Sequence, residues 1–236
     1  MASAALGKVY LIPSFIDEEN LQTIPPYVLE AVQASNVFFV ENERSARRYL
    51  KQLWKDMVID AYEWHTIHKA EQEVKEIFKK SLQRGVTIGI ISEAGCPGVA
   101  DPGQVLVDAA HALGATVKPL VGPSSILLAL MASGMNGQSF QFSGYLPIDT
   151  AERIKALKDL EMESAKKNCT QIFIETPYRN NQLTESICKT LKATTRLCIA
   201  ADLTGGGEYI KTKTIADWKN KLPDIHKRPA IFLLQA

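Results

Sequence analysis

The chain has 236 residues, 46% hydrophobic and 22% charged, a mixture that buries a real core and at this length favours two small domains over one. Lysine and arginine number 27 against 26 aspartates and glutamates, so a formal net charge of +1 excludes a nucleic-acid binder that works by bulk charge, though not a local basic patch. The longest unbroken apolar run, Ile126 to Ala132, falls far short of the roughly 20 residues that span a bilayer.

Residues 1–7 have neither the cationic start nor the apolar stretch of a secretory signal, so none is expected. Cys96, Cys169, Cys188 and Cys198 show no C-x-x-C pairing, which argues against a zinc site or a disulfide framework and suits a reducing, cytoplasmic setting. Lys8 to Ile12 reads as a first strand, stopped by Pro13. Pro25 and Pro26 open a helix through Ala34, and residues 36–40 form a second strand. Residues 44–54 and 69–84 are amphipathic helices, the latter closed by Gly85, and Val86 to Ile91 is a nearly continuous apolar strand of the kind buried on both faces in a parallel sheet. A helix over 103–113 ends at Gly114, and a strand over 115–120 follows. Ile126 to Met131 is apolar all round, so that helix is expected to be central, with no face at a surface. Beyond Gly134 come strand 138–145, helix 151–166, strand 171–175, helix 179–192, strand 195–202, a ribbon at 209–213, helix 214–221 and strand 229–234. The economical reading is an α/β chain of two domains, 1–120 and 121–236, with a mostly parallel first sheet and a mixed second one.

The stretch Ser92-Glu93-Ala94-Gly95-Cys96-Pro97-Gly98-Val99-Ala100-Asp101-Pro102-Gly103 is the most informative. It follows a buried strand and precedes a helix, where open α/β sheets bind ligands, and its glycines admit close backbone approach. The plainer reading is an elaborate strand-to-helix turn with Asp101 as its cap. Neither G-x-x-x-x-G-K-[ST] nor a strand followed by G-x-G-x-x-G occurs, and Gly205-Gly206-Gly207 reads as a flexible loop.

Gly7-Lys8-Val9-Tyr10-Leu11-Ile12-Pro13 resembles the opening strand of the tetrapyrrole methylase superfamily, the class III S-adenosylmethionine-dependent methyltransferases. The 92–103 stretch resembles the S-D-A-G-x-P-x-x-x-D-P-G loop of the branch that methylates a cytidine ribose in small-subunit ribosomal RNA. Gly122-Pro123-Ser124-Ser125 matches its G-P-[ST]-[SA], Ser143-Gly144-Tyr145-Leu146-Pro147 its E-G-F-L-P, and Ile174-Glu175-Thr176-Pro177-Tyr178-Arg179 its F-Y-E-S-P-H-R, in the correct order over roughly 7–235.

The resemblance implies two α/β domains with the cofactor in the cleft between them, usually in a homodimer. Carried over by position, the cofactor meets Pro13, Glu93, Gly95, Pro97, Gly98, Val99, Ser124, Ser125, Ile126, Glu175, Thr176, Leu203, Pro229 and Ala230. Glu93 stands where a carboxylate orients the ribose hydroxyls or the amino group, although the family has aspartate there. Departures fall elsewhere: P-I-G-N-L is here Pro13-Ser14-Phe15-Ile16-Asp17, E-D-T-R is Glu41-Asn42-Glu43-Arg44, E-L-T-K is Asp202-Leu203-Thr204-Gly205, and R-x-G-E is Lys227-Arg228-Pro229-Ala230. Those segments bear on substrate, so a tetrapyrrole or corrin-type acceptor and a cofactor-binding homologue without catalysis stand as alternatives to ribosomal RNA.

Glu41 and Glu43 are candidates for a general base near the acceptor hydroxyl; the alternative is a solvated helix start favoured by the dipole. Arg44, Arg47, Arg48 and Lys51 share one helical face, a phosphate-binding stripe for RNA or an ordinary solvated surface, with only Glu41 and Glu43 near in sequence to offset it. Tyr178 and Arg179 either stack on a base or anchor a helix start. Glu63, His65 and His68 lack a further ligand at suitable spacing, so no metal is expected, and Trp54 and Trp64 read as core or dimer-interface residues.

Overall fold

The computed structural model of the chain describes residues 5–67 and 71–236. The chain divides into two compact units, the first running to Ser124 and the second covering Ser125–Ala236.

In the first unit, β1 (Lys8–Ile12), β2 (Val37–Val40), β3 (Glu63–Thr66), β4 (Ile88–Ile91) and β5 (Thr116–Pro119) form one sheet in the order β3-β2-β4-β1-β5. Every neighbouring pair is parallel. β2 and β4 are buried along their whole length, because helices cover both faces. On one face, α1 (Val28–Ala34) and α2 (Glu43–Leu53) bury Val28, Val32, Ala46, Tyr49 and Leu50 with Ile12, Phe38 and Val40. On the other, α3 (Glu71–Gln83) and α4 (Gln104–Leu113) bury Val74, Phe78, Leu82, Leu106 and Ala109 with Val9, Phe39 and Ile90. α2 starts at Asn42, whose side chain accepts from the Arg44 and Ser45 amides, an ordinary N-cap.

The sequence reading missed β3. This edge strand is only four residues long and half-buried, so it lacks the apolar run that marks a central strand. Its residues are structural. The Trp64 ring stacks on Phe38 with centroids 4.9 Å apart and its Nε1 donates to the Ile59 carbonyl. His65 stacks on Phe39 at 4.8 Å and lies 2.7 Å from a Glu63 oxygen, while His68 lies outside the described residues. Trp54 packs against the same cluster as Phe38.

In the second unit, β6 (Phe140–Tyr145), β7 (Thr170–Ile174), β8 (Arg196–Ala201), β9 (Tyr209–Thr214) and β10 (Ala230–Gln235) are ordered β6-β7-β10-β8-β9. Only β6 and β7 are parallel, so this sheet is mixed. α6 (Thr150–Lys167), α7 (Asn180–Thr190) and α8 (Ile215–Trp218) bury Leu157, Leu183, Ile187 and Trp218 against Phe173, Leu197 and Phe232. α5 (Ser125–Ser133) sets Ala129 and Leu130 against Ile172, Cys198 and Leu233 on the opposite face.

Three expectations are corrected here. α5 is not enclosed: Leu127 is 50% and Met131 79% exposed, because only the Ala129–Leu130–Ser133 side meets the sheet. The helix expected over 214–221 is a single turn, since Lys219, Asn220 and Lys221 beyond Trp218 offer no apolar side to bury. The triple-glycine segment is a hydrogen-bonded turn rather than a loose loop: the Gly205 amide donates to Asp202, the Glu208 amide to Gly205, and the Arg228 guanidinium to the Gly207 carbonyl. Among the described residues no helix is long and apolar enough to cross a membrane.

Candidate functional site

The chain leaves β1 toward β2 and leaves β4 toward β5, so the two central strands of the first sheet diverge in opposite directions at their carboxyl ends. Helices serving the two directions lie on opposite faces. That divergence opens a crevice, and open α/β sheets bind ligands at this kind of switch point.

Four strand ends meet there. After β1, Ser14 exchanges both backbone hydrogen bonds with Gly95, at 2.8 and 3.2 Å, locking the glycine–proline loop that follows β4 onto the end of β1. The Tyr49 hydroxyl, from α2, donates to the Pro13 carbonyl at 2.6 Å. Burial pushes the Tyr49 phenol far above its ordinary value, so it stays a neutral donor. After β2, a Glu41 carboxylate oxygen accepts from the Glu93 amide at 2.9 Å. After β5, Gly122 passes so close to Pro13 that a Cβ at 122 would stand 2.1 Å from the proline Cβ, and only glycine fits.

The loop is also braced from within. The Asp101 carboxylate accepts from the Gly98 amide at 2.8 Å and from the Gly103 amide, just ahead of α4, at 2.6 Å, closing the loop on itself. Gly95 and Gly98 take left-handed φ values of 75° and 84°. The Cys96 thiol lies 3.4 Å from the Pro123 carbonyl as donor; burial, then the Asp101 charge, pushes its pKa up and keeps it protonated. A cavity of about 230 Å³ remains at this edge, lined by Ser14, Phe15, Ile16, Glu18, Ser45, Ala46, Ser92, Glu93 and Ala94. That lining mixes apolar side chains with hydroxyls and two carboxylates.

The two acids offered as bases are both engaged, Glu41 by the Glu93 amide and Glu43 by Arg47 at 2.6 Å. The basic stripe is far less bare than its sequence neighbours imply. Arg47 also approaches Asp60 at 3.8 Å and lies over the Trp64 ring, while Arg48 pairs with Glu18. The Lys51 ammonium donates to the Lys55 and Met57 carbonyls at 2.6 and 2.9 Å. Among the described residues Arg47 and Arg48 of the four make ion pairs, while Lys51 is spent on carbonyls. Glu18 and Asp60 are brought in by folding, from outside the helix.

In the second unit, the ends of β7 and β8 and the start of β10 share one edge. Glu175, its side chain wholly buried, accepts from Arg179 Nε and Nη2 at 3.0 and 2.6 Å and from the Thr176 amide at 2.7 Å. Asp202 receives Arg228 Nε at 2.6 Å, and its amide donates to the Pro229 carbonyl. This brings Leu203, Pro229 and Ala230 together, with Ala230 in register with Ala201. Leu203 is buried in the cluster beneath α5. Sequence reasoning missed Ser14, Phe15, Glu18 and Tyr49; only Tyr49 carried a signal, as a hydroxyl on an apolar helical stripe that needs a partner.

The sequence profile of the family described as Tetrapyrrole (Corrin/Porphyrin) Methylases matches residues 19–218. The chain belongs to the tetrapyrrole methylase family. It is therefore a methyltransferase. Among its relatives is the ribosomal RNA small subunit methyltransferase I of Vibrio cholerae serotype O1, 31% identical over 209 residues, which span 89% of this chain and 69% of that protein. The protein of the same name from Escherichia coli O157:H7 is 32% identical over 209 residues, covering 89% of this chain and 70% of that one. Among solved structures, a diphthine synthase matches with a TM-score of 0.67 at 14% identity, over 97% of this chain and 89% of that one. A uroporphyrin-III C-methyltransferase from Thermus thermophilus, complexed with S-adenosyl homocysteine, gives 0.54 at 14% identity, over 97% of each chain. At such identity the solved structures establish the two-sheet α/β fold of this methylase family.

Proposed function

We propose that this methyltransferase uses S-adenosylmethionine and acts on small-subunit ribosomal RNA, at a ribose hydroxyl. The observation that carries the reading is the braced glycine–proline loop at the switch point of the first sheet. The loop fits such a cofactor: at Gly98 a side chain would point into open space, and Glu93 stands at the rim of the cavity, able to receive hydroxyl or ammonium donors. When bound, the cofactor supplies a methyl group already activated by a sulfonium, which leaves the protein to align the partners and exclude water.

Each residue has a part in that alignment. Glu93 orients the ribose hydroxyls or the amino group, and Pro13, Gly95, Pro97, Gly98 and Val99 supply the backbone wall around it. Glu41 acts as a positioning residue, one oxygen holding the Glu93 amide, a role we place ahead of that of a base. The family resemblance also assigns cofactor contacts to Ser124, Ser125, Ile126, Thr176, Leu203, Pro229 and Ala230. Glu175 acts at one remove, by fixing Arg179. The acceptor being RNA is supported by two relatives, each about 30% identical and named for small-subunit ribosomal RNA. A cytoplasmic homodimer is the setting we infer, supported by the apolar Leu127 and Met131 surface of α5.

Transfer of tritiated methyl from S-adenosylmethionine tests the reading. The full chain is given total RNA from a strain lacking the corresponding modification and, separately, corrin-type acceptors. Label in small-subunit RNA that maps to a ribose is the expected result. Label entering only the tetrapyrrole would reassign the acceptor.

A further inference from the structure

Tyr178 and Arg179, neighbours in sequence, have separate fates. The Arg179 guanidinium is held by Glu175, while Tyr178 is 70% exposed. Two residues from the segment ahead of β10 flank that ring. Lys227 Nζ lies 5.8 Å from its centroid, and the His226 ring meets it edge-on at 6.0 Å. Both side chains are exposed.

An ordinary surface tyrosine needs no framework, yet this one has a dense one. The Lys227 amide donates to the Pro177 carbonyl at 3.0 Å, and Asn180 Nδ2 to the Arg228 carbonyl at 2.6 Å. The Ile225 amide donates to Asn181 Oδ1 at 2.9 Å, and Asn181 Nδ2 to Asp224 at 2.8 Å. Asn180 and Ile225 are fully buried under the surface they support. Lys227 is held at a left-handed φ of 62°, which non-glycine residues adopt at a cost and keep only where their surroundings impose it. Two segments more than forty residues apart are thus tied into one rigid shelf that presents an aromatic ring beside an ammonium. The nearby charges do not compete: Arg228 is held by Asp202, and the Asp224 carboxylate is turned onto Asn181 and the His226 amide.

A π face that every base can stack on, next to a cation that can meet a phosphate, is how proteins hold single-stranded nucleic acid without reading its sequence. Bases inside an A-form duplex offer no such face, so the chemistry selects an unpaired segment. We propose that Tyr178, with His226 and Lys227, forms a stacking platform for an unpaired base of the acceptor RNA, with Lys227 at the flanking phosphate. This rests on the RNA reading above and names a contact surface for it in the second unit.

Fluorescence anisotropy with a labelled single-stranded fragment of small-subunit ribosomal RNA, titrated with the full chain, tests it. Tyr178→Ala should weaken binding about tenfold with an unchanged salt slope, and Tyr178→Trp should restore it. Lys227→Gln should weaken binding a few-fold and lower the slope by roughly 0.7. S-adenosylhomocysteine affinity should stay constant in all three, which separates loss of the platform from loss of the fold. Binding by Tyr178→Ala equal to wild type, or no rescue by tryptophan, overturns the platform alone. No RNA binding by the wild-type chain overturns the platform and the RNA reading together.

Discussion

In the first unit the strand ends are tied mainly by backbone groups: Ser14 with Gly95, the Glu93 amide on Glu41, the Gly98 and Gly103 amides on Asp101. In the second they are tied by charge, Glu175 with Arg179 and Asp202 with Arg228. An edge braced by backbone holds its shape while leaving a side chain such as Glu93 beside an open cavity. Where the bracing is ionic, the charged side chains are consumed and what remains for a ligand is backbone, apolar surface and an exposed ring. Comparing the two edges separates residues that hold from residues that touch, a distinction that residue type alone blurs.

The largest effect should come from breaking the ionic edge. Arg179→Ala leaves the buried Glu175 carboxylate with only an amide partner, and the solvent that already reaches the guanidinium offsets part of that loss. The melting temperature should fall by roughly 5 °C or more. Arg179→Lys should recover only part of that, since lysine lacks the planar fork that meets the carboxylate twice. A variant that melts like wild type would show that charge is not what holds this edge.

The backbone edge should answer differently. Glu41→Gln keeps an oxygen acceptor for the Glu93 amide, whereas Glu41→Ala removes it. Methyl transfer should fall about tenfold in the alanine variant, the order of one charged hydrogen bond, and much less in the glutamine variant. Equal losses in both, growing as pH falls, would return Glu41 to the role of a base.

The smallest effect concerns the basic stripe on α2. Arg47 and Arg48 already answer Glu43, Asp60 and Glu18, and exposed pairs of this kind contribute about 0–1 kcal/mol. Reversing both charges should shift the melting temperature by no more than about 4 °C and leave the salt slope of RNA binding within one unit. A drop of two units would show that the stripe binds phosphates despite its partners.

Much of this architecture was legible in the sequence. The apolar runs at β1, β2 and β4 and the 3.6-residue spacing in α2 announce their burial directly, and the loop after β4 stood out by its glycines and prolines. What stayed hidden was tertiary. Glu41 meets Glu93 across 52 residues, and Glu18 meets Arg48 across 30, pairings that no local pattern encodes. β3 was hidden for a different reason: a short edge strand has no buried face on which to display alternation. The uniform apolarity of α5 revealed that it has no polar side, but not which side the sheet would cover.

Calorimetric titration with S-adenosylhomocysteine tests the central claim, that the braced loop at the switch point of the first sheet holds the methyl donor. The wild-type chain should bind with micromolar affinity, about −8 kcal/mol, and Glu93→Ala should weaken this at least tenfold while the doubly charge-reversed Arg47 and Arg48 variant binds as wild type. Absence of heat at millimolar ligand, or full affinity in Glu93→Ala, would contradict it.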